Sequence, residues 1–290
     1  MRRSILLPAL LLLLLASSAA AQQRYSVSGL VLNVDRPHQI MVVSCQEIRG
    51  YMEAMAMPFK VADAKSLNGL TPGTSIQFSL VVTRDASLAE DVRVVRYARA
   101  EREPSNSRRL QALDDALRPH PPRITAGQPV PDFLLTDQRK KQVRMSDFKG
   151  KVIALNFVYT RCALPDYCFR LTNNFGALQK RYKDRLGQDL VLMTVTFDPT
   201  HDQPETLDEY ARTWKADPEN WRFLTGAAPE VQRVCDLFGV NYVPDEGLFV
   251  HSLHTAVIGR DGKLVVNLEG NEFTPQQLGD LVGTVLDRNQ

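Results

Sequence analysis

The chain has little cysteine, little histidine and, after residue 16, no long hydrophobic run. Four cysteines in 290 residues are too few to staple a small core, so a disulfide scaffold is excluded and each cysteine is read from its own surroundings. Net charge is also scarce. Basic residues number 35 against 33 acidic ones, and Arg2 and Arg3, both in the leader, account for the excess. A neutral mature chain gives no electrostatic footprint for nucleic acid, and at most a peripheral association with a membrane surface. A thioredoxin-type Cys-x-x-Cys pair is missing too. The composition, 44% hydrophobic and 23% charged, excludes disordered, collagen-like and low-complexity classes and leaves room for two modest cores.

Residues 1–21 have the pattern of a secretory signal: Met1-Arg2-Arg3, an apolar stretch from Ile5 to Ala16 broken only by Pro8, and small residues Ala19-Ala20-Ala21 before Gln22. The apolar stretch is short for a membrane span, although an uncleaved anchor is the alternative. Export to the periplasm is therefore expected. There, disulfides can form, and a free thiol needs a reason to stay reduced.

Residues 22–98 read as a small all-β, OB-like barrel. Five β-rich runs, Tyr25-Val34, Gln39-Cys45, Met57-Val61, Ser75-Thr83 and Val92-Tyr97, are separated by turn signals at Asp35-Arg36-Pro37, Asn68-Gly69 and Pro72-Gly73. Residues 99–123, rich in arginine and proline with one helical pattern at Leu110, Leu113 and Leu117, read as a linker. From 124 to 290 the period alternates between strand and helix, the pattern of an α/β domain. Val152-Val158 and Leu190-Phe197 have the density of buried strands; Phe169-Tyr182, Glu205-Trp214, Pro229-Phe238 and Thr274-Asp287 follow a helical period. Thr255-Ile258 and Leu264-Leu268 form a hairpin around Asp261-Gly262.

The chemistry concentrates at Cys162 and Cys168. Cys162 follows a strand directly, and Cys168 lies six positions on, at the start of a helix. A helix N-terminus offers free amides and partial positive charge, which favour the thiolate used in metal binding or disulfide exchange. Two thiolates and one imidazole are a soft donor set suited to copper, whereas structural zinc would ask for a fourth protein donor. In a thioredoxin-like arrangement the segment starting at His251 enters a strand beside the first strand-to-helix turn, which makes His251 the candidate imidazole. His254 is its rival, and alternation allows only one of the two to face the site. His201 is a weaker candidate at another strand end; His38 and His120 read as solvated turn residues, and Cys235 as a core residue on a helix.

Four separated motifs carry a resemblance: Gly127-Gln128-Pro129-Val130-Pro131-Asp132-Phe133, the stretch from Lys151 to Cys168, Phe197-Asp198-Pro199-Thr200-His201-Asp202-Gln203-Pro204, and His251 ten positions before Asp261-Gly262. Together they resemble the Sco/SenC proteins, exported thioredoxin-like copper proteins. The resemblance implies that Cys162, Cys168 and His251 hold Cu(I) or Cu(II), and that the partner is the CuA subunit of cytochrome c oxidase or another copper acceptor. It also suggests Asp198 and Asp202 as groups behind the ligands. The chain departs from the family in having five residues between its cysteines where three are usual.

In the barrel, Met52, Met55 and Met57 fall within six residues, and Cys45 ends the strand before them. Thioethers and thiols favour Cu(I); the alternative is that the methionines fill a small core. The stretch resembles the CusF-type periplasmic copper-binding domain, with Met55 and Met57 as the methionine pair, Met52 upstream, and Cys45 where a histidine is expected. The combined reading is an exported metallochaperone for CuA assembly. A thiol-disulfide reductase acting through Cys162 and Cys168, or a copper storage and resistance protein, is the alternative. A peroxidase is disfavoured because Thr160-Arg161-Cys162 lacks the Thr-x-x-Cys setting.

Overall fold

The computed structural model describes residues 22–95, 123–162 and 164–288. The leader, nearly all of the expected linker with its leucine pattern, and His120 lie outside them.

The N-terminal unit is one antiparallel sheet of β1 (Gln23–Asp35), β2 (Ile40–Cys45), β3 (Ala56–Lys60), β4 (Ser75–Val82) and β5 (Ser87–Val94), ordered β3-β2-β1-β4-β5. Its outer strands approach each other at a single bridge between Val61 and Ala89, where the Ala62 amide donates to the Ala89 carbonyl at 3.0 Å. The sheet is thus rolled, with one bridge rather than a full ladder along that seam among the described residues. β5 begins at Ser87, earlier than its sequence pattern suggests, because its first half carries polar residues on the open side while Ala89 alone is buried.

The second unit is a seven-stranded sheet with helices on its faces. Its strands are β6 (Leu134–Asp137), β7 (Gln142–Arg144), β8 (Val152–Val158), β9 (Leu190–Thr196), β10 (Trp221–Thr225), β13 (His254–Ile258) and β14 (Leu264–Glu269), ordered β14-β13-β8-β9-β10-β6-β7. A separate hairpin, β11 (Tyr242–Asp245) with β12 (Leu248–His251), stands outside that sheet. The helices are α1 (Arg170–Arg181), α2 (Pro204–Thr213), α3 (Ala228–Phe238) and α4 (Pro275–Leu286). Every residue of the parallel strands β8 and β9 is buried, as their dense apolar runs require, Asn156, Thr194 and Thr196 included. Proline stands in the first turn of α2, α3 and α4, where its missing N–H costs nothing, and Thr274 with Gln277 forms a capping box on α4. Among the described residues no helix is long and apolar enough to cross a membrane.

The two units are docked. Residues Leu30, Val31 and Leu32 are all buried because β1 is covered on both faces: Val27 and Val31 point into the small core, while Leu30 and Leu32 pack with Val266, Leu268 and Phe273 of the second unit. Burial of each leucine contributes roughly 1.5–3 kcal/mol relative to exposure, so separating the units is costly. Polar contacts fix the register. The Ser44 hydroxyl donates to Asp280 at 2.7 Å, and the same carboxylate accepts from Arg181 of α1 at 2.6 Å. The side-chain amides of Gln277 and Gln276 donate to the carbonyls of Ser44 at 3.1 Å and Ala54 at 2.8 Å.

Gly73 sits in this interface with φ +86, and a Cβ there would lie 2.2 Å from a Val266 methyl. Gly73→Ala combines that overlap with a left-handed backbone, and it is predicted to destabilise the protein by about 1–3 kcal/mol. A urea titration followed by circular dichroism measures this; an unchanged midpoint would contradict the docked arrangement.

Candidate metal centre

The end of β8 delivers the turn Thr160-Arg161-Cys162, and two buried aspartates hold it. Asp202 accepts from the Thr160 amide at 3.0 Å, from the Thr160 hydroxyl at 2.5 Å and from the Thr196 hydroxyl at 2.5 Å. Burial pushes its carboxyl up from the usual range. Asp198 accepts from the Arg161 guanidinium at 2.7 and 3.2 Å, and His201 Nδ1 lies 2.9 Å from its other oxygen. Both aspartates therefore act on the turn and touch neither thiol. His201, with a half-exposed side chain, belongs to this rim network.

After Leu164 the chain makes one wide helical turn, Pro165–Phe169, in which Tyr167 leaves helical geometry. This turn absorbs the extra residues between the cysteines and carries Cys168 into the interior ahead of α1. Asn271, in the loop between β14 and α4, donates to the Asp166 carbonyl and braces the turn. The Thr172 hydroxyl donates to the Cys168 carbonyl at 2.8 Å.

His251 ends β12, almost fully buried. Its Nδ1 lies 3.0 Å from the Ser252 carbonyl, which can only accept, so Nδ1 carries a proton and Nε2 is the nitrogen turned toward the sulfurs. That Nε2 lies 3.6 Å from the Cys168 sulfur. The donor atoms of Cys162, Cys168 and His251 all lie within 4.8 Å of one another. Three rings wall the site, with centroids 4.7 Å (Phe197), 5.7 Å (Tyr159) and 6.1 Å (Tyr167) from the imidazole. His254 turns instead toward Asn267 on β14, with Nδ1 3.3 Å from its oxygen.

The two thiols are shifted in opposite directions. A hydrogen bond from Cys168, aided by His251 and the Leu164 amide, overcomes burial and brings Cys162 down to about 4. Burial and the neighbouring Cys162 thiolate push Cys168 well above the ordinary thiol value. The lowered thiol is Cys162, which lies before the helix, and the lowering comes from local hydrogen bonds, those of the Leu164 and Cys168 amides at the start of the helical turn among them. All four cysteines are unbonded, and Cys235 is a fully buried core residue of α3.

In the barrel, Cys45 is buried, its thiol is pushed up to about 12 by burial, and it donates to the Val43 carbonyl at 3.8 Å. The Cys45 amide donates to the Met55 carbonyl at 2.9 Å, and Val43 pairs with Met57 across β2 and β3. The three residues thus occupy neighbouring positions at the end of one ladder. Met52 and Met57 pack half-buried against the barrel core, and Met55 is 48% exposed. His38 is an exposed turn residue paired with Asp35.

Three contributors were not picked out from the sequence: Arg161, Asn271 and the aromatic walls. Arg161 stands next to a candidate cysteine, which is a usable signal. Asn271 lies 105 residues from its partner, and nothing local marks it.

A thioredoxin-like domain that gathers two thiols and an imidazole at one buried point defines a class of soft-metal or thiol-redox protein. Residues 123–286 match the SCO1/SenC family, more than half of the chain, and the protein belongs to that family. Residues 24–93 match the copper binding periplasmic protein CusF. The SCO1 protein homolog of Bacillus subtilis is 28% identical over 150 residues, which is 50% of this chain and 76% of that one. A putative copper-binding protein of Stutzerimonas stutzeri is 29% identical over 140 residues, 47% of this chain and 66% of that one. Among solved structures, BsSco, described as a member of the Sco family of cytochrome c oxidase assembly proteins, is 26% identical with a TM-score of 0.49, covering 58% of this chain and 99% of that one.

In the metal-free reduced protein, ultraviolet thiolate absorbance should show one thiolate near neutral pH. That thiolate should be lost as pH falls through about 4, the folded value of Cys162. Because this value is depressed, the stability it contributes is present above the unfolded thiol range and declines as pH falls toward about 4. Cys162→Ser should abolish the signal; a thiolate that survives the substitution would assign the charge elsewhere.

Proposed function

We propose that this protein carries copper outside the cytoplasm and delivers it to the CuA centre of cytochrome c oxidase or a comparable copper acceptor. Cys162, Cys168 and His251 hold the ion before delivery. The supporting observation is the convergence of their donor atoms within 4.8 Å, with Nε2 turned toward the sulfurs. The donor set fits copper: thiolates suit Cu(I), the imidazole also accommodates Cu(II), and among the described residues no further His, Cys, Asp or Glu joins the group to complete a zinc tetrahedron. Cys162 is ready as a thiolate, whereas Cys168 gives up its proton when the ion binds.

The barrel acquires Cu(I) through Met52, Met55, Met57 and Cys45 and supplies the cysteine centre. The match to a periplasmic copper-binding protein supports this, as do the neighbouring positions of Cys45, Met55 and Met57 at one ladder end. The exposed Met55 is the entry point. Because the units are docked, the local concentration of one site near the other is set by their interface as well as by the linker. The signal-like leader and the periplasmic character of the CusF match support export.

A second reading is favoured by the split between the two thiols. A thiolate beside a protonated thiol is the arrangement of a thiol-disulfide reductase, in which Cys162 attacks and Cys168 resolves. Copper titration of the reduced protein separates the readings. Cys162→Ala and Met55→Leu should each lose binding at one site while keeping the other, as followed by competition with a Cu(I) chelator. Unchanged stoichiometry in both variants would reject the copper model, and a readily cycling Cys162/Cys168 couple without copper affinity would favour the reductase. Loss of oxidase activity under copper limitation identifies delivery, whereas copper sensitivity alone identifies storage or resistance.

A further inference from the structure

We propose that Arg161 is a positioning residue that clamps the hairpin carrying His251 onto the cysteine turn, and that this clamp determines how well the centre holds Cu(II). The inference rests on the Cys-Cys-His reading of the site. The β11–β12 hairpin is not hydrogen-bonded into the seven-stranded sheet. Its base is tied by the Ser252 amide to the Asn241 carbonyl at 2.8 Å and by the Asn241 amide to the Ser252 hydroxyl at 2.9 Å. Its middle packs through Tyr242 and Phe249 on Phe197, with centroids 5.2 and 5.8 Å apart. Its tip turns through Glu246 and Gly247, both at positive φ.

Arg161 reaches that tip. Its Nη1 donates to the Gly247 carbonyl at 3.0 Å. Nε and Nη2 of the same guanidinium donate to one oxygen of Asp198, whose side chain is 4% exposed, and Nη2 lies 3.2 Å from His201 Nδ1. One planar fork therefore joins the turn of Cys162, the Asp198 loop and the hairpin of His251. A lysine ammonium keeps the charge but cannot present donors in both directions at once. If the tip is released, His251 is held by the base of its hairpin and by the aromatic packing of its middle, without the tether at the far end. Cu(I) is satisfied by two thiolates, whereas Cu(II) depends on the imidazole, so the loss falls on Cu(II).

Full-length reduced protein, wild type and with Arg161→Ala, Arg161→Lys or His251→Ala, is compared in three measurements: hydrogen exchange of amides 242–251 without metal, Cu(II) affinity with the thiolate-to-Cu(II) absorption and EPR signals, and Cu(I) affinity by chelator competition. Both Arg161 variants should exchange faster in the hairpin, lose about tenfold in Cu(II) affinity with altered spectra, and keep wild-type Cu(I) affinity. Unchanged hairpin exchange overturns the clamp. So does restoration of Cu(II) binding by lysine, which would assign the effect to charge, and so does an equal fall for both oxidation states, which would mark Arg161 as merely structural. Wild-type Cu(II) binding by His251→Ala would instead reject the Cys-Cys-His reading, and hairpin exchange in the Arg161 variants would still decide whether the clamp exists.

Discussion

Two sulfurs and an imidazole nitrogen share one buried point, and that crowding constrains everything around it. Two thiolates side by side without a cation would repel each other across a medium poor in water, so only Cys162 ionises and Cys168 keeps its proton. The surroundings maintain this unequal pair. Aromatic rings exclude water, the Ser252 carbonyl fixes the imidazole tautomer, and Asp202 locks the turn that presents Cys162. A soft cation would remove the inequality by drawing the second proton off, which makes the site responsive to metal and to oxidation through the same atoms.

The fold brings the three donors together from far-separated stretches of chain. β8 supplies one sulfur at its C-terminal end, the wide turn before α1 supplies the other, and a hairpin outside the main sheet supplies the nitrogen. The first two are braced by a rigid, fully buried strand and by α1. The hairpin has weaker anchoring, since among the described residues its strands pair only with each other. The centre thus has two firmly held sulfurs and one less firmly held nitrogen.

The N-terminal rolled sheet is more than a tethered accessory. Leu30 and Leu32 lie on what would be its outer surface, and they find their apolar partners on β14 and in the loop after it. Asp280 joins Ser44, the neighbour of Cys45, to Arg181 at the end of the helix that follows Cys168. The segment from Asn271 to Gln277 touches the cysteine loop at one end and the methionine-bearing hairpin at the other. The two candidate copper sites are therefore linked through packed protein as well as through the chain.

Much of this was legible in the sequence because it depends on local pattern. β8 and β9 announce themselves as dense apolar runs, α4 by Thr274 and Pro275, and the two cysteines by their place after a strand. The short strands β6, β7, β10, β11 and β12 carry too few residues for a period to show, and the polar start of β5 hid five residues of strand, 87–91. The sequence by itself determined which donors are available and that they are soft, because side-chain chemistry is fixed by residue type. Only the tertiary structure decided that His251 rather than His254 meets the sulfurs, that Cys162 rather than Cys168 is the thiolate, and that the barrel is docked. Those outcomes depend on burial, on hydrogen bonds from residues distant along the chain, and on which faces of two units come into contact, none of which is encoded at a single position.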